Sequence, residues 1–490
     1  MYSVNEMSSQ QSSSPTDLSM SVSQKSTLSS FLSHPGFRKL VFIVILTATV
    51  ALVTGLYLSV AMTMAATLTV FCIAMWATSV MPEYWTSLLF FLVAIVLHMA
   101  PVQTVFSGFY SSPFWLLFSG MVLGAAIRHT RLDQRVARQF SGMLGQRYRS
   151  VIGSIVILAL LLAFVMPSAM GRIVLIVPIV LALADHLGYG SGSKGRTGMV
   201  LAASLGTFLP AFSILPSNTP NMILAAMVEN LHGLQISYWD YLLLHFPVLG
   251  VFKAILLVML ILWLYPDRDP LLPQAGNAVE VTPLTPPERK LIIVLGLSLL
   301  LWLTDAIHHV SPGWIGLAAA LYCLAPISGL TKAKCLNTEI NFASLFFVAG
   351  IIGLGAVISA SGLGEILVRN LSGHAHFASD RPLWNIGALT VISTIVAMVT
   401  NLPGIPAVMT PLASDLASLT GLPLTTVLMT QVLAFSNVFM PYQAPPLITA
   451  MSVGNLPMRV VTSMCVTLFV IGIVIVAPLD LLWWHILGLF

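Results

Sequence analysis

Twice in this chain a long apolar run is cut by proline and glycine, and the two cuts lie at a fixed distance. The first is Phe164–Pro178, F-V-M-P-S-A-M-G-R-I-V-L-I-V-P, with Pro167, Ser168, Gly171 and Arg172 at its centre. Proline and glycine interrupt a helix. A serine and an arginine at such a break need a protein-lined or wet cavity. A shift of 233 residues carries Ser168, Gly171 and Pro178 onto Asn401, Gly404 and Pro411, within T-N-L-P-G-I-P-A-V-M-T-P. Two further breaks, L-P-S-N-T-P-N at 215–221 and M-P-Y-Q-A-P-P at 440–446, stand 225 residues apart. A matched pair of breaks in each half is the sequence pointer to a transporter built from internal repeats.

The 490 residues are 57% hydrophobic and only 8% charged, with mean hydropathy +0.93. Soluble domains carry about 25% charged residues. The chain is therefore an all-α polytopic membrane protein, and long unbroken apolar runs exclude a β-barrel. The net charge of +4 sits in loops beside spans, so nucleic acid has no support as a partner. The four cysteines are scattered without C-x-x-C and read as free thiols, with no metal or disulfide framework.

Taken in order, residues 1–36 read as a disordered cytoplasmic tail. Residues 37–264 form an N-terminal repeat, with a re-entrant hairpin at 151–187 and a broken helix at 197–229. A linker follows at 265–289. Residues 290–490 form a C-terminal repeat, with a second hairpin at 383–419 and a broken helix at 422–453. The arginine-rich stretch Arg128–Ser150 reads as cytoplasmic and surface-lying, which puts the N-terminus on the same side of the cytoplasmic (inner) membrane. Each hairpin arm reads as ten to fifteen strongly apolar residues. The tally is about 11 transmembrane helices plus two re-entrant hairpins, in two repeats of opposite orientation.

Broken helices expose N–H groups at one end and carbonyls at the other. The N–H ends favour an anion, and the carbonyl ends, with hydroxyl and amide oxygens, suit a hard cation. Arg172 can grip a carboxylate bidentately. The alternatives are that it pairs with an acid such as Asp185 or snorkels to the interface. Candidate substrate ligands are Ser168, Arg172, Asn218, Thr219, Asn221, Thr400, Asn401 and Gln443. Candidate sodium ligands are Ser168, Ser217 and Asn401. Lys253, alone mid-span, reads as neutralising an acid or a headgroup. Asp305, with His308 and His309, reads as solvated.

With these residues in place, the chain from about residue 40 onward resembles the divalent anion/sodium symporter family, the citrate, dicarboxylate and sulfate permeases. G-F-Y-S-S-P-F-W-L-L-F-S-G at 108–120 is similar to the opening of that family's fourth span. The family's Thr-Pro-Pro-Asn-like breaks are matched by Asn218-Thr219-Pro220-Asn221 and Ala444-Pro445-Pro446-Leu447. Its Ser-Asn-Thr hairpin tips are not. Ser168 keeps the serine, while Ala169 and Met170 replace the next two residues, and Asn401, Leu402 and Pro403 stand at the second tip. The resemblance implies a homodimer working as an elevator. The lost tip residues weigh against sodium coupling, and Arg172 is an added cation able to stand in for a coupling ion.

The expectation is a secondary transporter of a small anion, a dicarboxylate first, embedded in membrane lipids and coupled to Na+ or H+ or run as exchange, with no cofactor. The alternative is a permease of the same superfamily for sulfate, citrate or arsenite. A polytopic enzyme is disfavoured, because no H-E-x-x-H or G-x-S-x-G motif is present.

Overall fold

The computed structural model describes residues 35–132, 134–135, 147–166, 168–270 and 283–490, and all regular structure among them is helical. The expected tail lies almost wholly outside the described residues, as do most of the arginine-rich stretch and the middle of the linker. The first half opens with α1 (Pro35–Tyr57), α2 (Val60–Thr78), α3 (Glu83–Val96) and α4 (Ser112–Thr130). Ser59 ends the α1–α2 corner by accepting from the Met62 amide, and Pro82 and Pro113 mark the starts of α3 and α4. The hairpin follows as α5 (Tyr148–Val165) and α6 (Ala169–His186), and the broken helix as α7 (Lys194–Phe208) and α8 (Thr219–His232). α9 (Tyr238–His245) runs through a π turn at Phe246–Phe252 into α10 (Lys253–Leu264).

The second half repeats this order. It holds α11 (Pro286–Leu303), α12 (Pro312–Leu324), α13 (Phe342–Ser361) and α14 (Leu363–Ala375). The second hairpin has α15 (Pro382–Val399) as one arm. Its other arm is α16 (Gly404–Met409) followed by α17 (Ala413–Thr420). The broken helix is α18 (Leu424–Phe435) and α19 (Pro445–Gly454). α20 (Met458–Ile471) passes through a π turn at Gly472–Val476 into α21 (Ala477–Ile486).

Seven of the described helices are long and apolar enough to cross a membrane. Two of them, Ala169–His186 and Pro382–Val399, are hairpin arms of 18 residues each. They are longer than the expected ten to fifteen residues. Eighteen residues span about 27 Å, close to the roughly 30 Å hydrocarbon core. Pro178 lies inside α6 without ending it, as apolar neighbours allow.

The halves interlock through the segments beside their breaks. α6 packs on α7 and on α19, and α8 packs on α16. α8 is buried from Pro220 to Val228, whereas α1 is apolar and mostly exposed. Outside this body, α4 packs along α12 and α3 along α13. Small residues set the α4–α12 approach, since a Cβ on Gly316 would lie 3.1 Å from Leu116 Cδ1 and 3.2 Å from Ser119 Cβ.

Asp305 departs from its expectation, Asp185 from the alternative raised for it, and Arg135 takes a partner that the sequence reading did not name. Asp305 is buried, not solvated, because it caps α9 by accepting from Ser237 Oγ at 3.0 Å and from the Tyr238 amide. Asp185 pairs with Arg196, not with Arg172. Arg135 reaches across to α11, where its Nε donates to Glu288 at 2.8 Å, beside the Thr285 amide at 2.7 Å. The Arg135 hydrogen bond, aided by Thr285, holds the Glu288 carboxyl down to about 2.

Three stability outcomes are expected. Gly316→Val overpacks the α4–α12 contact, costs about 1–3 kcal/mol and lowers the Tm in detergent. Gly296→Ala, with nothing within 4 Å of its Cβ, leaves the Tm unchanged or raised. The Glu288 carboxyl is depressed in the fold, so its contribution is full above its ordinary value of 4.5 and is lost as pH falls toward 2. Glu288→Gln lowers the Tm at neutral pH, and acid scans of the pair converge below the folded value.

Candidate functional site

Each break leaves a helix N-terminus without a full set of partners. Four such N-termini wall one cavity of about 310 Å³. α6 contributes Ser168, Ala169 and Met170, and α8 contributes Asn218, Thr219 and Pro220. The segment entering α16 contributes Asn401, Leu402 and Pro403, and α19 contributes Ala444, Pro445 and Pro446. The start of α13 joins them with Asn341 and Ser344. The local chemistry explains these starts. Ser168 accepts from the Gly171 amide at 3.1 Å, and Asn401 Oδ1 accepts from the Gly404 amide at 3.1 Å. Pro220, Pro445 and Pro446 sit in first turns, where a missing N–H costs nothing. The cavity volume is at the low end of the roughly 300–1,000 Å³ of small-molecule pockets.

The two breaks of the second half are tied together. Gln443 Oε1 accepts from the Phe439 and Met440 amides at 2.9 and 2.8 Å, and its carbonyl accepts from the Leu402 amide at 3.3 Å. In the first half the Asn218 side chain spans its own break. In the orientation that satisfies both ends, its amide nitrogen donates to the Ser217 carbonyl at 3.0 Å and its oxygen accepts from the Phe212 amide.

Of the residues singled out in the sequence, Ser168, Asn218, Thr219, Asn401 and Gln443 line this cavity. Arg172, Asn221, Thr400 and Ser217 do not. Asn221 donates to the Phe212 and Ile214 carbonyls, both at 3.0 Å. Thr400 Oγ1 donates to Val396 at 2.7 Å, and Ser217 Oγ to Ala163 at 2.6 Å. Arg172, fully buried, turns away from the cavity: its guanidinium donates to the carbonyls of Met166, of Ser217 at 3.2 Å and of Thr207 at 3.1 Å. Its first-named role, gripping an anion, is thus not what its geometry offers. Lys253 is also buried and donates to the Ser436 carbonyl, with the buried Asp480 in electrostatic range, so of its two readings the acid stands and the headgroup does not.

Charge enters the cavity wall only through Glu83, Arg128 and Glu339, which the motif reading passed over. Arg128 Nη2 lies 3.2 Å from Glu339, and Lys332 Nζ lies 3.2 Å from its other oxygen. Lys332 and Arg128 together hold the Glu339 carboxyl below the usual carboxylate range. No motif in the sequence joins positions 128 and 339. The remaining wall is apolar or uncharged, so the site offers an anion backbone amides and helix dipoles, with hydroxyl and amide groups to orient it.

A family profile described as the sodium:sulfate symporter transmembrane region matches residues 35–490. A membrane protein of Cupriavidus necator is 22% identical over 298 residues, 59% of this chain and 56% of the relative. The inner membrane protein YbhI of Escherichia coli K12 is 26% identical over 335 residues, 63% of this chain and 70% of the relative. The citrate/succinate antiporter of Escherichia coli K12 is 26% identical over 257 residues, 50% of this chain and 53% of the relative. The chain thus spans about half the length of the first and third of these. The solved YdaH transporter of Alcanivorax borkumensis gives a TM-score of 0.47 at 14% identity, over 78% of this chain and 87% of that one. The profile match covers every described residue, and the chain belongs to the sodium:sulfate symporter family of membrane transporters.

Proposed function

We propose that this protein is a secondary transporter of a small dianion, a dicarboxylate first, in the cytoplasmic membrane. Transport is driven by a coupling ion, Na+ or H+, or by exchange against a second anion. The observation that carries the reading is the convergence of four helix N-termini on one cavity. Each N-terminus carries about half a positive charge, so four of them offset a dianion without a basic side chain. The citrate and succinate for which the antiporter relative is named are consistent with a cavity of about 310 Å³.

In this proposal Ser168, Thr219, Asn401 and Gln443 hydrogen-bond the substrate, and Asn218 braces the break beside it. The hairpins and broken helices, which pack on one another across the halves, travel together as an elevator against α1–α4 and α11–α14. Glu83, Arg128 and Glu339 sit at loop-proximal helix ends, on the face that carries the arginine-rich stretch. The cavity then opens to the cytoplasm, and the N-terminus lies on that side. The homodimer, and the count of 11 spans plus two re-entrant hairpins in inverted repeats, belong to the same proposal and rest on the resemblance and the repeat.

A charge placed in the cavity tests the site. Met170 lines it and is more than a third exposed. Met170→Asp sets a like charge about 5 Å from the nearer charge of the substrate, and that pair alone costs about 3 kcal/mol at an effective dielectric of 20. Uptake of labelled succinate into proteoliposomes should fall at least roughly a hundredfold, and Met170→Asn should retain most of it. Equal uptake by the two variants removes the anion site from this cavity. Unlabelled succinate, citrate and sulfate as competitors order the substrates, and sulfate competing best would replace the dicarboxylate reading.

A further inference from the structure

The N–H ends of the broken helices face the cavity, and the carbonyl end of each meets a buried basic side chain. In the first half α7 ends at Phe208, so the Thr207 carbonyl is among those left without an intrahelical partner. Arg172 Nη2 donates to it at 3.1 Å, while Nη1 donates to the carbonyls of Ser217 and Met166. In the second half α18 ends at Phe435, and Lys253 donates to the carbonyl of the capping residue Ser436. Neither base forms an ion pair among the described residues. Arg172 has only backbone oxygens as acceptors. Lys253 has one, with the buried carboxylate of Asp480 on α21 in electrostatic range.

We infer that Arg172 and Lys253 are resident cations, which occupy the carbonyl ends of the two helix breaks where a mobile cation would otherwise bind. The inference rests on the transport reading for its consequence, namely that transport by this protein does not require sodium. The side-chain oxygens that would complete a sodium shell are also engaged. Ser168 Oγ and Asn401 Oδ1 cap their helices, and Ser217 Oγ donates to Ala163. A hard cation needs several oxygen ligands; here Ser168 and Asn401 each already accept from an amide, Ser217 is turned to the Ala163 carbonyl, and the Ser217 backbone carbonyl is taken by Arg172. The donor set does not fit sodium. Both resident cations come from the first half. The residue 233 positions after Arg172 is Ile405, so the second hairpin supplies none.

The test has an arm that does not depend on transport. The Tm of the purified full-length protein is measured in sodium chloride and in choline chloride at equal ionic strength. Equal values are expected, because a ligand that binds the folded state raises the Tm. A rise of more than about two degrees in sodium overturns the inference. In proteoliposomes, succinate uptake against internal succinate should keep its rate when choline replaces sodium, and a tenfold or greater loss overturns it. Uptake absent under every gradient, with Tm values equal, refutes the dicarboxylate reading and leaves the resident cations standing. Arg172→Gln and Lys253→Met remove one charge each. Whichever of them folds should gain a sodium-dependent Tm rise that the wild type lacks, and no gain in a folded variant counts against the assignment at that break. Should neither fold, the wild-type pair of measurements decides.

Discussion

A peptide group in hydrocarbon has no water to turn to, and each unsatisfied one costs several kcal/mol. That constraint governs every feature of this protein that is not a plain helix. Four times the chain breaks a helix inside an apolar run, and the freed groups either find partners within the fold or face the shared cavity. Side-chain caps serve the N-termini at Ser168 and Asn401, and prolines remove donors from the first turns of α8 and α19. Gln443 closes the turn at Met440 and holds the neighbouring hairpin through Leu402. The interlock of α6 on α19 and of α8 on α16 follows, since a break is tolerated only where another protein segment covers it.

The two ends of each break are used differently. The N–H ends point into the shared cavity, and at the two broken helices Arg172 and Lys253 meet the carbonyl ends. The cavity thus presents helix N-termini to whatever it binds, with no basic side chain among the break residues that line it. The charged residues in its wall, Glu83, Arg128 and Glu339, neutralise one another in part at the periphery, with Lys332 completing the set.

Much of this was legible in the sequence because breaks in apolar runs are rare and repeat at nearly equal offsets. The four breaks, the helical membrane class and five of the cavity-lining polar residues came from that pattern. The direction of Arg172 did not. A guanidinium beside a break has two sets of partners available, anion or carbonyl, and only the position of Thr207 and Ser217 decides between them. Burial was equally unreadable, because α1 and α8 are both apolar while one is mostly exposed and the other lies in the interior. Asp305 was misplaced for a related reason: its partner, the start of α9, lies 68 residues away in the chain. The paired π turns were missed because an inserted residue leaves no mark in hydropathy.

Those π turns stand 226 residues apart, at Phe246 and Gly472, and each lies in the last long helix of its half. One extra residue in a helix turns everything beyond it by about 100° around the axis. Lys253 is the first residue after the first π turn. The phase of that helix, more than the identity of any side chain in it, aims the ammonium at Ser436. The lysine's address is therefore written in the length of the preceding segment. Removing a single residue between His245 and Lys253 would redirect it with the composition all but unchanged. A catalogue of substitutions at the conspicuous positions would leave that dependence unseen.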